Sequence, residues 1–523
     1  MFKESIHILG AGSIGMLWAA SIRSKIPTYP ITLLLRSSEN KYIKYEQNSN
    51  NNNNSKLRKI QPMMEISLEQ AHTKKTNIQE DEQQLEVISV PIQFTTTTTA
   101  RDVRYQQQNK KTEKQQQQQQ QQQYYSDDDD NKKIQNLIVT TKSYQAVNAV
   151  QSVMGRMMMA KNVNNVEEDD VVIINNESDN SSNKENDNKD NATNNSNCDC
   201  DGNSNSNSNS TTIILLCNGA LSVRDELQDL WDSMEKEDDE EEEETEEHAK
   251  VVVPAQQQRH RQRIRPNLLL ATTTHGAYRE QHNNETTANT IDENDDDDNN
   301  NMCVIERRKV IHAGFGKTFI EDPNNNNDDN DGGIATATVT TSEICNLWND
   351  VGLNCTSLTS EQMIIMLWNK LAANCVINPL TSIFRCTNGE LLLEPSFLEM
   401  QENILMEVAN VASGVLILME KEKEAAEKGR INITTTTTKS IIDDNNNKSS
   451  IRLVDEMRKF VSQCILDTRD NKSSMYQDIM KGQYTEIKHL NGYVVRKGKE
   501  MGIYCPYNEY LYQRILELQN QSI

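Results

Sequence analysis

Lys370, Asn374 and Asn378 are spaced four residues apart in turn, which lines up three side chains on one face of an α-helix. Leu371, Ala372, Ala373, Val376 and Ile377 fill positions between them. One cation followed by two neutral amides in an otherwise apolar helix suits the wall of a cleft that takes a small polar anion. There the ammonium would give a proton to a developing alkoxide, and the amides would fix hydroxyl and carboxylate oxygens. The competing reading is an amphipathic helix with its polar stripe in solvent.

A second stretch able to do chemistry lies near the start. Residues 6–15 read IHILGAGSIG, a strand, a turn with glycines in GxGxxG spacing, and the beginning of a helix. Gly10 permits the tight turn, Gly12 lets the backbone approach a pyrophosphate, and Gly15 allows helix and strand to pack closely. The segment Gly10, Ala11, Gly12, Ser13, Ile14, Gly15 would hold a dinucleotide at a helix N-terminus. A glycine turn that binds nothing is the alternative. The next strand runs into Arg36, where an NAD site normally has Asp or Glu. An Arg can pair with a 2′-phosphate, so NADP(H) is the favoured cofactor, with a solvated surface Arg as the alternative.

Lys142 and Asn218 each follow a strand-like run, which puts both at the carboxyl edge of a sheet, where open α/β folds bind ligands. Strand-end Lys and Asn-Gly are also common turn residues. His275 and His312 invite a catalytic role because His titrates near neutrality, but a structural role is favoured for both. Glu486 fits a helix-start acid stabilised by the helix dipole as well as a site residue.

Candidate strands that would position these residues are 6–9, 31–35, 137–141, 213–217, 268–273 and 310–313, with helical pattern at 13–24, 144–154 and 221–234. Strand and helix alternate, and the strands are nearly continuous Val, Ile and Leu, which implies a parallel sheet covered on both faces. From about Thr341 the pattern is helical only, with Ser360 as an N-cap and helices expected at 395–420 and 485–501. The expected fold class is therefore α/β: an N-terminal Rossmann-like dinucleotide-binding domain at 1–340, then an all-helical domain at 341–523, with a cleft between them.

Low-complexity tracts at 48–54, 115–123, 127–130, 175–210, 235–247, 283–301, 324–331 and 434–438 bury too little to offset the backbone ordering cost of roughly 1–2 kcal/mol per residue. They are read as long disordered insertions in loops. The 523 residues are only 35% hydrophobic, against roughly 45–50% in ordinary domains. The net charge of -24 argues against nucleic-acid or anionic-membrane partners. No apolar run is read as reaching the roughly 18 residues that span a bilayer. A strand beginning near Met1 leaves no room for a signal segment, so a cytoplasmic location is expected. The ten cysteines show no CxxC pair, which speaks against a metal site and reads as reduced thiol.

Several blocks together resemble one family. They are VTTKSYQAVNAV at 139–150, LCNG at 216–219, TTTHGA at 272–277, HAGFG at 312–316, WNKLAANCVINPLTSIFRCTNGEL at 368–391 and SSMYQDIMKGQYTEIKHLNG at 473–492. In this order they are similar to ketopantoate reductase, also called 2-dehydropantoate 2-reductase. The resemblance implies NADPH-dependent reduction of ketopantoate to pantoate, on the way to coenzyme A. It implies Lys370 as proton donor, with Asn374, Asn378, Asn388, Ser473, Ser474 and Met475 around the substrate. It also implies cofactor contacts from the glycine loop, Arg36, Lys142, Asn218, Ala277 and Glu486.

Tyr476 and Lys488 depart from the pattern, where an aliphatic and an acidic residue are usual. They leave open a related NADP-dependent oxidoreductase acting on another keto acid. A non-catalytic NADP-sensing protein that uses the polar tracts for interaction is a third reading. A homodimer is compatible with all three.

Overall fold

The computed structural model describes residues 5–36, 62–70, 86–95, 134–157, 211–248, 265–280, 303–324, 341–427 and 438–522. Four short apolar strands, β1 (Ile6–Leu9), β2 (Ile31–Arg36), β5 (Asn136–Val139) and β6 (Thr212–Leu215), pair in parallel in the order β2-β1-β5-β6. β7 (Asn267–Thr273) continues the parallel run beside β6. Neighbouring residues along these strands serve opposite faces. Ile8, Ile138, Ile214 and Leu269 pack into one core with α1 (Ser13–Lys25). Leu9, Val139, Leu215 and Leu270 pack into the other, with α2 (Ser143–Gln151), α3 (Ala220–His248) and the C-terminal helices. Burial on both faces explains why these strands read as unbroken apolar runs.

The sheet is larger than expected and mixed rather than parallel. Among the described residues its eleven strands run β11-β10-β7-β6-β5-β1-β2-β4-β3-β9-β8. β3 (Pro62–Gln70) pairs antiparallel with β4 (Glu86–Thr95), β8 (Gly276–Arg279) with β9 (Cys303–Gly314), and β10 (Thr318–Glu321) with β7. β11 (Cys355–Leu358) lies beyond residue 341 and pairs in parallel with β10, so the segment after Thr341 is not helical only. These additional strands are short or alternating, and a four-residue run such as CTSL, with two hydroxyl residues at its centre, carries little apolar signal.

The 235–247 tract, read as an insertion, forms the last half of α3. An all-polar run of Glu and Asp has adequate helix propensity when an apolar-periodic segment has already nucleated the helix. The tracts at 48–54, 115–123, 127–130, 175–210 and 283–301 lie outside the described residues, as do 325–331 and 434–437.

In the C-terminal part, α4 (Ser360–Phe384) begins with a capping box in which Thr359, not Ser360, is the N-cap and Gln362 answers it. The expected helix at 485–501 is a one-turn 3-10 segment, Ile487–His489, followed by a separate helix, Asn491–Met501. Contrary to the sequence expectation, Ser360–Phe384 and Phe397–Ala425 are long and apolar enough to span a membrane. Their apolar windows are 72% and 50% buried within the protein, as core helices are.

Pro379 sits inside α4 and cannot donate to the carbonyl of Cys375. Asn491 supplies the missing donor, with Nδ2 3.1 Å from that oxygen and 3.0 Å from Asn508 Oδ1. Asn508 in turn donates to Glu407, whose carboxylate also takes the backbone N–H groups of Tyr507 and Asn508 at the start of helix Pro506–Ser522. Asn491→Ala leaves buried acceptors without donors and is expected to lower stability by about 2 kcal/mol in denaturant unfolding; a loss within ~0.3 kcal/mol would rule out this role for the amide.

Among the described residues, three histidines are buried inside the sheet domain: His7, His275 and His312. His275 Nδ1 lies 2.9 Å from His312 Nε2, and its Nε2 lies 3.0 Å from the Leu353 carbonyl. Trp18 meets His275 edge to face. This is the structural role favoured from sequence. Burial lowers all three pKa values, in His7 to about 4 with Arg156 contributing. A depressed folded-state pKa means that the unfolded chain takes protons first. Stability is therefore whole above about pH 6.5 and falls as the pH drops toward 4, with about 3 kcal/mol from His7 alone. In His7→Gln the fall in unfolding free energy between pH 7 and 4.5 is expected to be shallower than in wild type by about 2–3 kcal/mol, with the His275 and His312 contributions remaining; equal declines in the two proteins would rule out the His7 contribution.

Candidate active site

Because β1, β5, β6 and β7 run parallel, their carboxyl ends share one edge of the sheet, and the residues just beyond them meet there. The first is the glycine loop. Gly10 has φ +110°, and a Cβ on Gly15 would collide with the Gly10 carbonyl and lie 2.5 Å from Thr140 Oγ1. Glycine is therefore required at both positions. Gly12 is the N-cap of α1 and offers no side chain to its N–H groups, and the first turn, beginning Ser13 and Ile14, carries no acid. Those donors and the positive end of the helix dipole are left facing outward for an anion. Arg308 on β9 reaches the carbonyl of Ala11 at 3.2 Å.

At the ends of β5 and β6, Lys142 and Asn218 converge on Glu486 from the C-terminal part. The carboxylate of Glu486, only 4% exposed, accepts from Ser143 N at 2.9 Å, Ser143 Oγ at 3.1 Å and Asn218 Nδ2 at 3.1 Å. Lys142 Nζ lies 3.7 Å from it and 2.8 Å from Asp478. Burial pushes the Glu486 pKa up, but Lys142 and the Ser143 and Asn218 hydrogen bonds outweigh it and hold the carboxyl below its usual range. Lys142 is held above its own range because the two carboxylates outweigh its burial. Asp478 is raised, with burial prevailing over Lys142.

Lys370 comes to the same edge from α4. Its Nζ donates to Thr272 Oγ1 at 2.7 Å and to the Thr273 carbonyl at 3.2 Å, at the end of β7. Thr272 follows Leu270 by two residues and so points to the same face, the one that α4 covers. Burial pushes the Lys370 amine below the usual lysine range, opposed by Cys217 and Glu486. Asn374, half-buried, and Asn378, buried, make no side-chain hydrogen bond among the described residues, so both amides keep their donors and acceptors.

The remaining expected residues are placed more variously. Asn388 is buried and donates to Thr468 Oγ1 at 2.9 Å, with its own Oδ1 unpartnered. Ser473 caps the helix Ser474–Met480, accepting from Tyr476 N and from Thr381 Oγ1, while Ser474 is exposed and Met475 is core. Ala277 lies on β8, partly buried against the core beneath α1. Arg36 ends β2, and its side chain lies outside the described residues. Sequence reasoning missed the roles of Thr272, Thr273, Ser143, Asp478 and Arg308. Asp478 had a signal, being one helical turn beyond Ser474. Among the described residues, no group of three or more His, Cys, Asp or Glu is placed to hold a metal ion.

Comparison with known proteins agrees with the resemblance in the sequence. Residues 362–519 match the family model described as ketopantoate reductase PanE/ApbA C terminal. A 2-dehydropantoate 2-reductase of Vibrio cholerae is 37% identical over 153 residues, 29% of this chain and 40% of that protein. One from Archaeoglobus fulgidus is 32% identical over 142 residues, 27% of this chain and 36% of that protein. The matched segments thus span less than half the length of these curated relatives. A solved PanE/ApbA family ketopantoate reductase from Ralstonia eutropha JMP134 aligns with a TM-score of 0.47 at 13% identity, over 99% of both chains.

Glu486→Ala would leave Lys142, Ser143 N–H and the Asn218 amide without their shared acceptor. The expected cost is about 3 kcal/mol in unfolding free energy, with Glu486→Gln costing less. A loss below about 1 kcal/mol in the alanine variant would show that the carboxylate does not anchor this edge.

Proposed function

We propose that this chain, whose residues 362–519 carry the ketopantoate reductase C-terminal resemblance, is an NADPH-dependent reductase that converts ketopantoate to pantoate in the cytoplasm. The observation that carries the proposal is the placement of Lys370 Nζ at the carboxyl edge of the sheet, against β7. The glycine loop, two other strand ends and Glu486 lie along that same edge.

A dinucleotide fits this edge. The glycines leave no side chain between backbone and phosphate, and α1 begins without a side-chain cap. When bound, NADPH would supply a hydride, with both electrons, to the keto carbon. Gly10 to Gly15 would hold its pyrophosphate, and Arg36 at the end of β2 would take the 2′-phosphate. Lys142, Asn218, Ala277 and Glu486 belong to the cofactor side of the cleft in this proposal.

The substrate is a small carboxylate, and Lys370 faces it as a cation. As the carbonyl oxygen gains negative charge, an N–H bond of Lys370 breaks, its electron pair stays on Nζ, and the proton passes to the oxygen. A lysine lowered by burial gives that proton more readily than one in water. Asn374 and Asn378, one and two turns along α4, are free to orient the carboxylate and hydroxyl groups, with Asn388, Ser473, Ser474 and Met475 completing the substrate side.

Tyr476 favours a second reading. Its hydroxyl donates to the Arg385 carbonyl at 3.3 Å, which holds a ring beside the substrate side where an aliphatic residue is usual. A narrower cleft would select a different branched keto acid by the same chemistry.

The test is NADPH consumption by the purified protein with ketopantoate, with NADH in parallel and a panel of branched keto acids. Turnover should prefer NADPH and fall about 10²-fold or more in Lys370→Ala. Full activity in that variant would sink the assignment of the proton donor, and turnover only with another keto acid would select the second reading.

A further inference from the structure

We infer that Thr272 is a positioning residue for Lys370: its hydroxyl oxygen, with the neighbouring Thr273 carbonyl, holds the amine in one orientation through the proton transfer. This inference rests on Lys370 being the proton donor of the proposed reductase.

A lysine ammonium has three N–H donors and no acceptor. Two are engaged by β7: Thr272 Oγ1 at 2.7 Å and Thr273 O at 3.2 Å. The third is left for the reacting oxygen. After transfer the neutral amine keeps two N–H groups and gains a lone pair. The same two acceptors match those two N–H groups, and the lone pair points where the proton went. The amine therefore need not turn between its charged and neutral states, which is the fixed geometry that efficient proton donation requires.

The acceptors are themselves rigid. Thr272 is 4% exposed and lies inside the sheet, paired with Phe319 of β10, while Thr273 pairs with Thr318. A β-branched side chain in a strand is stiff at χ1. A long, flexible lysine is thus tied at its tip to a strand, although its backbone belongs to a helix. An oxygen accepting from the ammonium also favours the charged form, against the burial that lowers it.

Thr272→Val keeps shape and β-branching but removes the acceptor, and Thr272→Ser restores it. With NADPH and ketopantoate, Thr272→Val is expected to lower kcat roughly tenfold with KM within about twofold. The basic limb of its pH profile should move down by about one unit, because the ammonium loses a charge-assisted hydrogen bond. Thr272→Ser should return both values to near wild type. A wild-type kcat and basic limb in Thr272→Val, or no rescue by serine, would overturn the inference. Should wild type not reduce ketopantoate, the proposed function fails separately. The Lys370 titration, followed by NMR of lysine labelled at Cε, then decides: a downward shift in the valine variant that serine reverses supports the positioning role, and an unchanged titration overturns it. Thr272→Ala takes the place of valine in these measurements if valine disturbs folding.

Discussion

A carboxylate that is 4% exposed is unfavourable unless charge and hydrogen bonds meet it. Glu486 is such a group, and its partners come from two strand ends far apart in sequence: Lys142 and Ser143 after β5, and Asn218 after β6. Satisfying it fixes the C-terminal helices against the carboxyl edge of the sheet. Around this contact the seam is continued by His489, which meets Ser222 and Glu226, and by Tyr493 and Lys497, which both reach Asp225. The same face of the sheet and the C-terminal helices also share one apolar core. The edge where ligands bind in α/β folds is thereby also the edge where the two parts of the chain are locked together.

That coupling sets the position of Lys370. Helix α4 is anchored by its capping box at one end, and toward its other end a proline leaves the Cys375 carbonyl to be met from the last helices by Asn491. The lysine lies between these fixed points, and its amine extends across to β7. A small displacement of the C-terminal helices would separate Lys370 from Thr272 and Glu486 from Asn218 together.

How much of this is legible in sequence follows from how the information is stored. The parallel strands were legible because burial on both faces makes them apolar throughout, and GxGxxG was legible because backbone geometry permits only glycine at Gly10 and Gly15. The Lys370, Asn374, Asn378 stripe showed as a helical period. The strands β3, β4, β8, β10 and β11 were not legible, since each is short or half polar and gains its place by pairing rather than by composition. Met475 and Ser473 belong to one motif block, and the block does not announce that packing gives the first side chain to the core and the second to a helix cap. Thr272 carried no signal of its own, because its importance depends on a helix about a hundred residues later.

The charges along the edge set the electrostatic surroundings of Lys370. Lys142 with Asp478 and Glu486 makes a cluster of one cation and two carboxylates, which leaves one negative charge to be answered. Lys370 answers it at longer range: Glu486 raises the amine while burial lowers it more. Burial disfavours the charged amine, and the carboxylate favours it. The two effects oppose each other at one nitrogen, and hydrogen bonds from a rigid strand end fix where that nitrogen stands. In the proposed reaction a carboxylate substrate entering beside it would add a second anion and favour the charged form further.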